Sequence, residues 1–103
     1  MRLRDKPVST LHTIARSPRS DLLTSCLQLM GAKDGVLLME DGVFYCLNAE
    51  QLAQLPEGCK LYALREDIAA RGLQAKKPPQ LDAISTRTFV DLCCSYDKVV
   101  NWF

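Results

Sequence analysis

The side chains with most capacity for chemistry are five cysteines, Cys26, Cys46, Cys59, Cys93 and Cys94, and the single histidine, His12. A thiolate can accept a sulfane sulfur as a persulfide and pass it on, provided that its pKa is depressed and it is accessible. Cys26 is the candidate sulfur carrier. It lies on a stripe of Leu22, Leu23, Cys26, Leu27 and Met30 at helical spacing, so the competing reading is a small buried hydrophobe. Cys93 and Cys94 are adjacent on an expected helix, where neighbours point about 100° apart. One therefore faces the core and the other the surface, and they do not form a redox pair. Cys46 and Cys59 fall at or beside expected strands and read as packing residues. His12 can act as a base toward a thiol; otherwise a lone histidine on a short strand is a hydrogen-bonded structural residue.

Several other chemistries are excluded by pattern. There is no C-x-x-C, and hence no sign of a thioredoxin-type pair or a zinc ribbon. One histidine cannot build a His-rich metal site. No Ser/His/Asp order, P-loop or G-x-G-x-x-G is present, so neither a cofactor nor a metal is expected. Glu40-Asp41 is similar to half of the acidic Mg²⁺ pocket of receiver domains, but no acidic pair follows the first strand. The pair reads as a solvated loop.

These residues must be positioned by short alternating elements. Leu11 to Ala15 is β-prone. Ser17 can cap a helix with Pro18 at its first position, and Gly31 closes the apolar stripe that follows. Gly35 to Met39 is a continuous apolar run, as expected of a strand buried on both faces of a parallel sheet. Asp41-Gly42 suits a hairpin turn on local rules; a strand-to-helix loop is the better reading, because Asn48 to Leu55 follows as a short helix. Lys60 to Leu64 is a third buried strand, Arg65 to Arg71 a helix ended by Gly72, Asp82 to Ile84 a short strand, and Thr86 to Tyr96 the last helix. Val99 to Phe103 is strand-like. Strands alternating with helices give a single-domain α/β fold, a parallel sheet with flanking helices. Such sheets place ligands at the carboxyl ends of their strands, here near Arg16, Glu40 to Gly42, Leu64 to Asp67, and Ser85.

Composition bounds the rest. A chain of 103 residues is one domain, with residues 1–10 read as a flexible leader and 11–103 as the domain. Its 13 Lys+Arg against 12 Asp+Glu lack the basic footprint of a nucleic-acid binder. No apolar run approaches the roughly 18 residues of a membrane span. The odd cysteine count without a secretory signal points to a reducing, cytoplasmic setting. Trp102 and Phe103 are two large aromatics at the end of a small chain; they pack onto the core or against a partner, and are the candidate interface residues.

Taken together and in order, several segments resemble the TusB/DsrH family. They are Leu11-His12-Thr13 with Ser17-Pro18, then Leu37 to Val43, Leu61 to Asp67 running into Ala70-Arg71-Gly72-Leu73, Thr88 to Leu92, and Trp102. The resemblance implies a DsrE-like fold and assembly with TusC-like and TusD-like subunits into a dimer of heterotrimers. In that relay a TusD-type subunit takes sulfur from a TusA-like carrier and gives it to a TusE-like acceptor, for 2-thiouridine at the tRNA wobble position. The resemblance places the TusD-type relay cysteine at about Leu64 or Arg65, neither of which can hold sulfur. It therefore implies a supporting, non-catalytic subunit of a sulfurtransferase complex. The alternative is a DsrH-like subunit of a DsrEFH complex in sulfur oxidation, with Cys26, which matches a first-helix cysteine of DsrH-type chains, as the sulfur carrier.

Overall fold

The computed structural model describes residues 8–102. The expected parallel sheet is present. Its strands are β1 (Thr10–Ile14), β2 (Gly35–Leu38), β3 (Lys60–Leu64), β4 (Leu81–Ile84) and β5 (Lys98–Trp102), in the order β4-β3-β2-β1-β5. Every neighbouring pair is parallel. β1 and β2 are buried along their whole length and β3 from its second residue, which is why they read as continuous apolar runs rather than alternating ones.

The helices are α1 (Leu22–Leu27), α2 (Ala49–Leu52), α3 (Arg65–Ala70) and α4 (Thr86–Ser95). They cover the two faces unequally. Leu23 and Cys26 of α1, Leu52 of α2 and Ile68 of α3 pack on one face, against Ile14, Val36, Leu38, Leu61, Ala63 and Leu81. The other face, built on Leu11, Leu37, Tyr62 and Leu64, is covered by α4 through half-buried Phe89, Leu92, Cys93 and Tyr96. α4 carries the chain from β4 at one edge of the sheet to β5 at the other, and none of its residues is fully buried.

Three expected elements differ. The helix expected from Pro18 to Gly31 is split into a 3-10 turn, Pro18–Ser20, and α1, with left-handed Asp21 (φ 58°) between them. Ser17 precedes the turn as expected, but its side chain makes no capping bond. The Ser20 hydroxyl bonds back to the Ser17 carbonyl at 2.8 Å and is 3.4 Å from the Leu22 N–H, closing the turn locally. Asp is one of the few residues that tolerate the left-handed conformation that results. The second difference is Glu40–Leu47, which winds as a 3-10 helix and buries Val43, Tyr45 and Cys46. It is a strand-to-helix connection, not a hairpin. Gly42 is required there, because a Cβ would stand 2.1 Å from the Ile14 carbonyl oxygen. α2 is shorter than expected, and the Asn48 amide donates to the Gln51 side chain instead of capping it.

Candidate functional site

The loops leaving β1, β2 and β3 feed the face of α1, α2 and α3, whereas the loop leaving β4 feeds α4 on the opposite face. Adjacent strands β3 and β4 therefore send their chains apart, which opens the crevice where α/β sheets take ligands. Leu64 and Ile84 are register partners at its floor. Leu64 is buried and Arg65 is exposed at the start of α3.

The crevice is already furnished with protein groups. Glu66 Oε2 lies 3.4 Å from the Thr86 N–H, and Ser85 Oγ accepts from the Thr88 N–H at 3.1 Å. Two orphan donors of the first turn of α4 are thus taken, where an incoming anion would seek them. A bond to its own N–H, joined by that of Thr86 and the nearby Arg65 charge, holds the Glu66 carboxyl below its ordinary value. Beside it, the left-handed Glu40 (φ 48°) donates its N–H to Asp67 Oδ2 at 2.7 Å. Arg71 reaches Asp41 Oδ1 through Nε and Nη2, each at 3.0 Å. Glu40-Asp41 is thus a turn tied to α3. Among the described residues no group of three or more His, Cys, Asp or Glu is placed to hold a metal ion.

The five cysteines are dispersed, and all are free thiols. Cys26 is 0% exposed on the inner side of α1. Burial, with smaller contributions from Cys59 and Asp34, pushes its thiol up to about 12. At neutral pH the thiol therefore stays protonated. Cys46 is buried and likewise raised by burial. Cys59 stands just before β3, at the end of the sheet opposite the crevice; its Sγ donates to the Asp34 carbonyl at 3.0 Å. Burial and then Asp34 push it up to about 11. Cys93 is half-buried beneath α4 and Cys94 is exposed, the division that adjacent helical positions require.

His12 has a structural environment of its own. It is 3% exposed, with Nε2 3.0 Å from Asp34 Oδ2 and Nδ1 accepting from the Trp102 indole N–H at 3.1 Å. An indole N–H can only donate. Nδ1 is therefore the acceptor, and Nε2 carries the proton that is donated to Asp34. Asp34 also accepts from the N–H groups of Thr10 at 3.0 Å and Gly31 at 3.1 Å. Burial works against its charge, but the bonds from His12, Gly31 and Thr10 outweigh it and hold the carboxyl below its ordinary value. The chain Trp102–His12–Asp34 thus ties edge strand β5 through β1 to the turn before β2. Little in the sequence singles out Asp34. Its only signal there is a charged residue immediately before a wholly buried strand. Trp102 is half-buried against the core, and Phe103 lies outside the described residues.

Fold and site define a class: a small, all-parallel α/β domain with a carboxylate of its own beside the loop from β4 to α4 and a buried histidine held between Trp102 and Asp34. Within that class the chain belongs to the family of DsrH-like proteins, whose family model matches residues 16–99. It is 36% identical over 94 residues to protein TusB of Erwinia tasmaniensis, covering 89% of this chain and 99% of that one. To protein TusB of Cronobacter sakazakii it is 32% identical, and to that of Yersinia pestis 31%, with the same coverage. The solution NMR structure of protein Tm0979 from Thermotoga maritima has the same fold, with a TM-score of 0.61 at 24% identity over 84% of this chain and 92% of that one.

Proposed function

We propose that this chain is a supporting subunit of a TusBCD-type sulfurtransferase complex, in the sulfur relay that forms 2-thiouridine at the tRNA wobble position. The observation that carries the reading is the β3–β4 crevice. The family resemblance puts a relay thiol at about Leu64 or Arg65, neither of which can hold sulfur, and Glu66 Oε2 lies 3.4 Å from the Thr86 N–H at the start of α4. Cys26, sealed beneath α1, supports the same reading, because a carrier thiol must be ionised and reachable. The partners are TusC-like and TusD-like subunits in a dimer of heterotrimers, with TusA-like and TusE-like proteins acting through the TusD-like subunit. Trp102 and Phe103 are proposed as contact residues; Trp102 ends edge strand β5, which has no strand on its outer side among the described residues. The setting is the cytoplasm, in keeping with five free thiols and with described helices too short and too polar to cross a membrane. The test is co-expression with TusC-like and TusD-like chains from the same source. One stable particle containing all three is expected. A monodisperse monomer that ignores both partners in size-exclusion chromatography overturns the reading.

A further inference from the structure

A second feature of the carboxyl edge is not used by the reading above and stands independently of it. An open depression of about 520 Å³ lies where β1 ends, lined by Ala15, Arg16, Ser17, Arg19, Ser20 and Asp41. Its walls are held firmly. Ser20 N–H and Asp21 N–H bond back to the Ser17 and Pro18 carbonyls at 3.0 and 3.2 Å, which fixes the turn that carries Arg19. Met39 N–H bonds to the Ile14 carbonyl at 3.0 Å, and Gly42 packs directly on that same carbonyl, which fixes the end of β1 below Arg16.

The charges in this depression do not cancel. Asp41 is the one carboxylate lining it, and Arg71 already holds that carboxylate at 3.0 Å from α3. Neither Arg16 nor Arg19 has an ion pair or side-chain hydrogen bond among the described residues, and the Ser17 hydroxyl likewise has no partner among them. Two guanidinium forks and a free hydroxyl, presented from fixed backbone around one hollow, match the donor needs of a tetrahedral oxyanion. The chain's near-zero net charge, +1, points to one small anion rather than the repeated phosphates of a nucleic acid.

We propose that this depression binds a phosphate-like or sulfate-like oxyanion, with Arg16 and Arg19 as forked donors and Ser17 as a third. The test is an NMR titration of the full chain at constant ionic strength, with chloride as the balancing salt. Inorganic phosphate, sulfate and a nucleoside 5′-monophosphate are the three probes. Saturable shifts centred on residues 16–20 are expected. Either Arg16→Gln or Arg19→Gln weakens binding about tenfold or more, the scale of one lost charge-assisted contact. Arg87→Gln, an exposed arginine on α4, leaves it unchanged. Equal affinity for the free ions and the monophosphate identifies a free oxyanion as the ligand, and tighter binding of the monophosphate identifies an esterified one; either supports the site. Shifts that do not saturate with any probe overturn it. So does an Arg87→Gln loss as large as that of the other two, which would reduce the effect to general charge. Both arginines are exposed, so a melting curve confirms that each variant is folded.

Discussion

Trp102→Phe removes a single donor while keeping most of an aromatic surface, and its cost follows from the geometry around His12. The lost indole N–H leaves Nδ1 without a partner on a ring that is 3% exposed. The ring cannot recover by changing tautomer, because an unprotonated Nε2 would then face the Asp34 carboxylate from 3.0 Å. An orphaned buried acceptor costs about 1–3 kcal/mol. In a domain of this size each kcal/mol lowers the melting temperature by about 4–8 °C. Trp102→Phe is therefore expected to melt at least about 4 °C lower. His12→Leu completes a double-mutant cycle, whose coupling energy is expected at about 1 kcal/mol. Urea unfolding followed by far-UV circular dichroism is the assay, since fluorescence would change with the indole itself. Additive effects, or a Trp102→Phe variant that melts with the parent, would refute the assigned tautomer and the role of the chain in holding β5.

Acid stability should depend on Asp34. Its folded pKa lies below its ordinary value, so its contribution is present above the unfolded pKa near 3.8 and is lost as pH falls through the lower folded one. Asp34→Asn is expected to be less stable at neutral pH and to show a flatter acid limb in melts from pH 7 to 2; a limb as steep as the parent's would exclude Asp34 as its source. Alkylation of the native chain should follow exposure: Cys94 first, Cys59 and Cys93 more slowly, and Cys26 and Cys46 only with unfolding. Peptide mass spectrometry reads the order, and early labelling of Cys26 would contradict its burial.

The sheet was legible because burial on both faces leaves a strong local mark: β2 and β3 are continuous apolar runs of the right length between charged residues. Cys26 could be placed on an inward stripe for the same reason, since leucines three and four residues away share its face. What was hidden depends on contacts distant in sequence or on a compromise within a turn. Nothing local to His12 names Trp102, 90 residues away, or Asp34, 22 away. The break at Asp21 arises because Ser20 bonds backwards, a competition that periodicity cannot register. The occupied crevice likewise needs the register of β3 with β4 before Glu66 and Thr86 can be seen to meet.

Whether this subunit supports a relay without carrying its sulfur is decided at Cys26. The measurement is persulfide passed to a TusE-like acceptor by the assembled complex, alongside a melting curve, for Cys26→Ala and Cys26→Ser. A serine hydroxyl on a site with 0% exposure costs on the order of 1–3 kcal/mol, whereas alanine leaves nothing to satisfy and is milder. For a supporting subunit, transfer is expected to stay near the parent level with alanine and to fall with serine only as far as stability does. Abolition of transfer by both substitutions, in complexes that melt with the parent, would contradict it and make Cys26 a sulfur carrier.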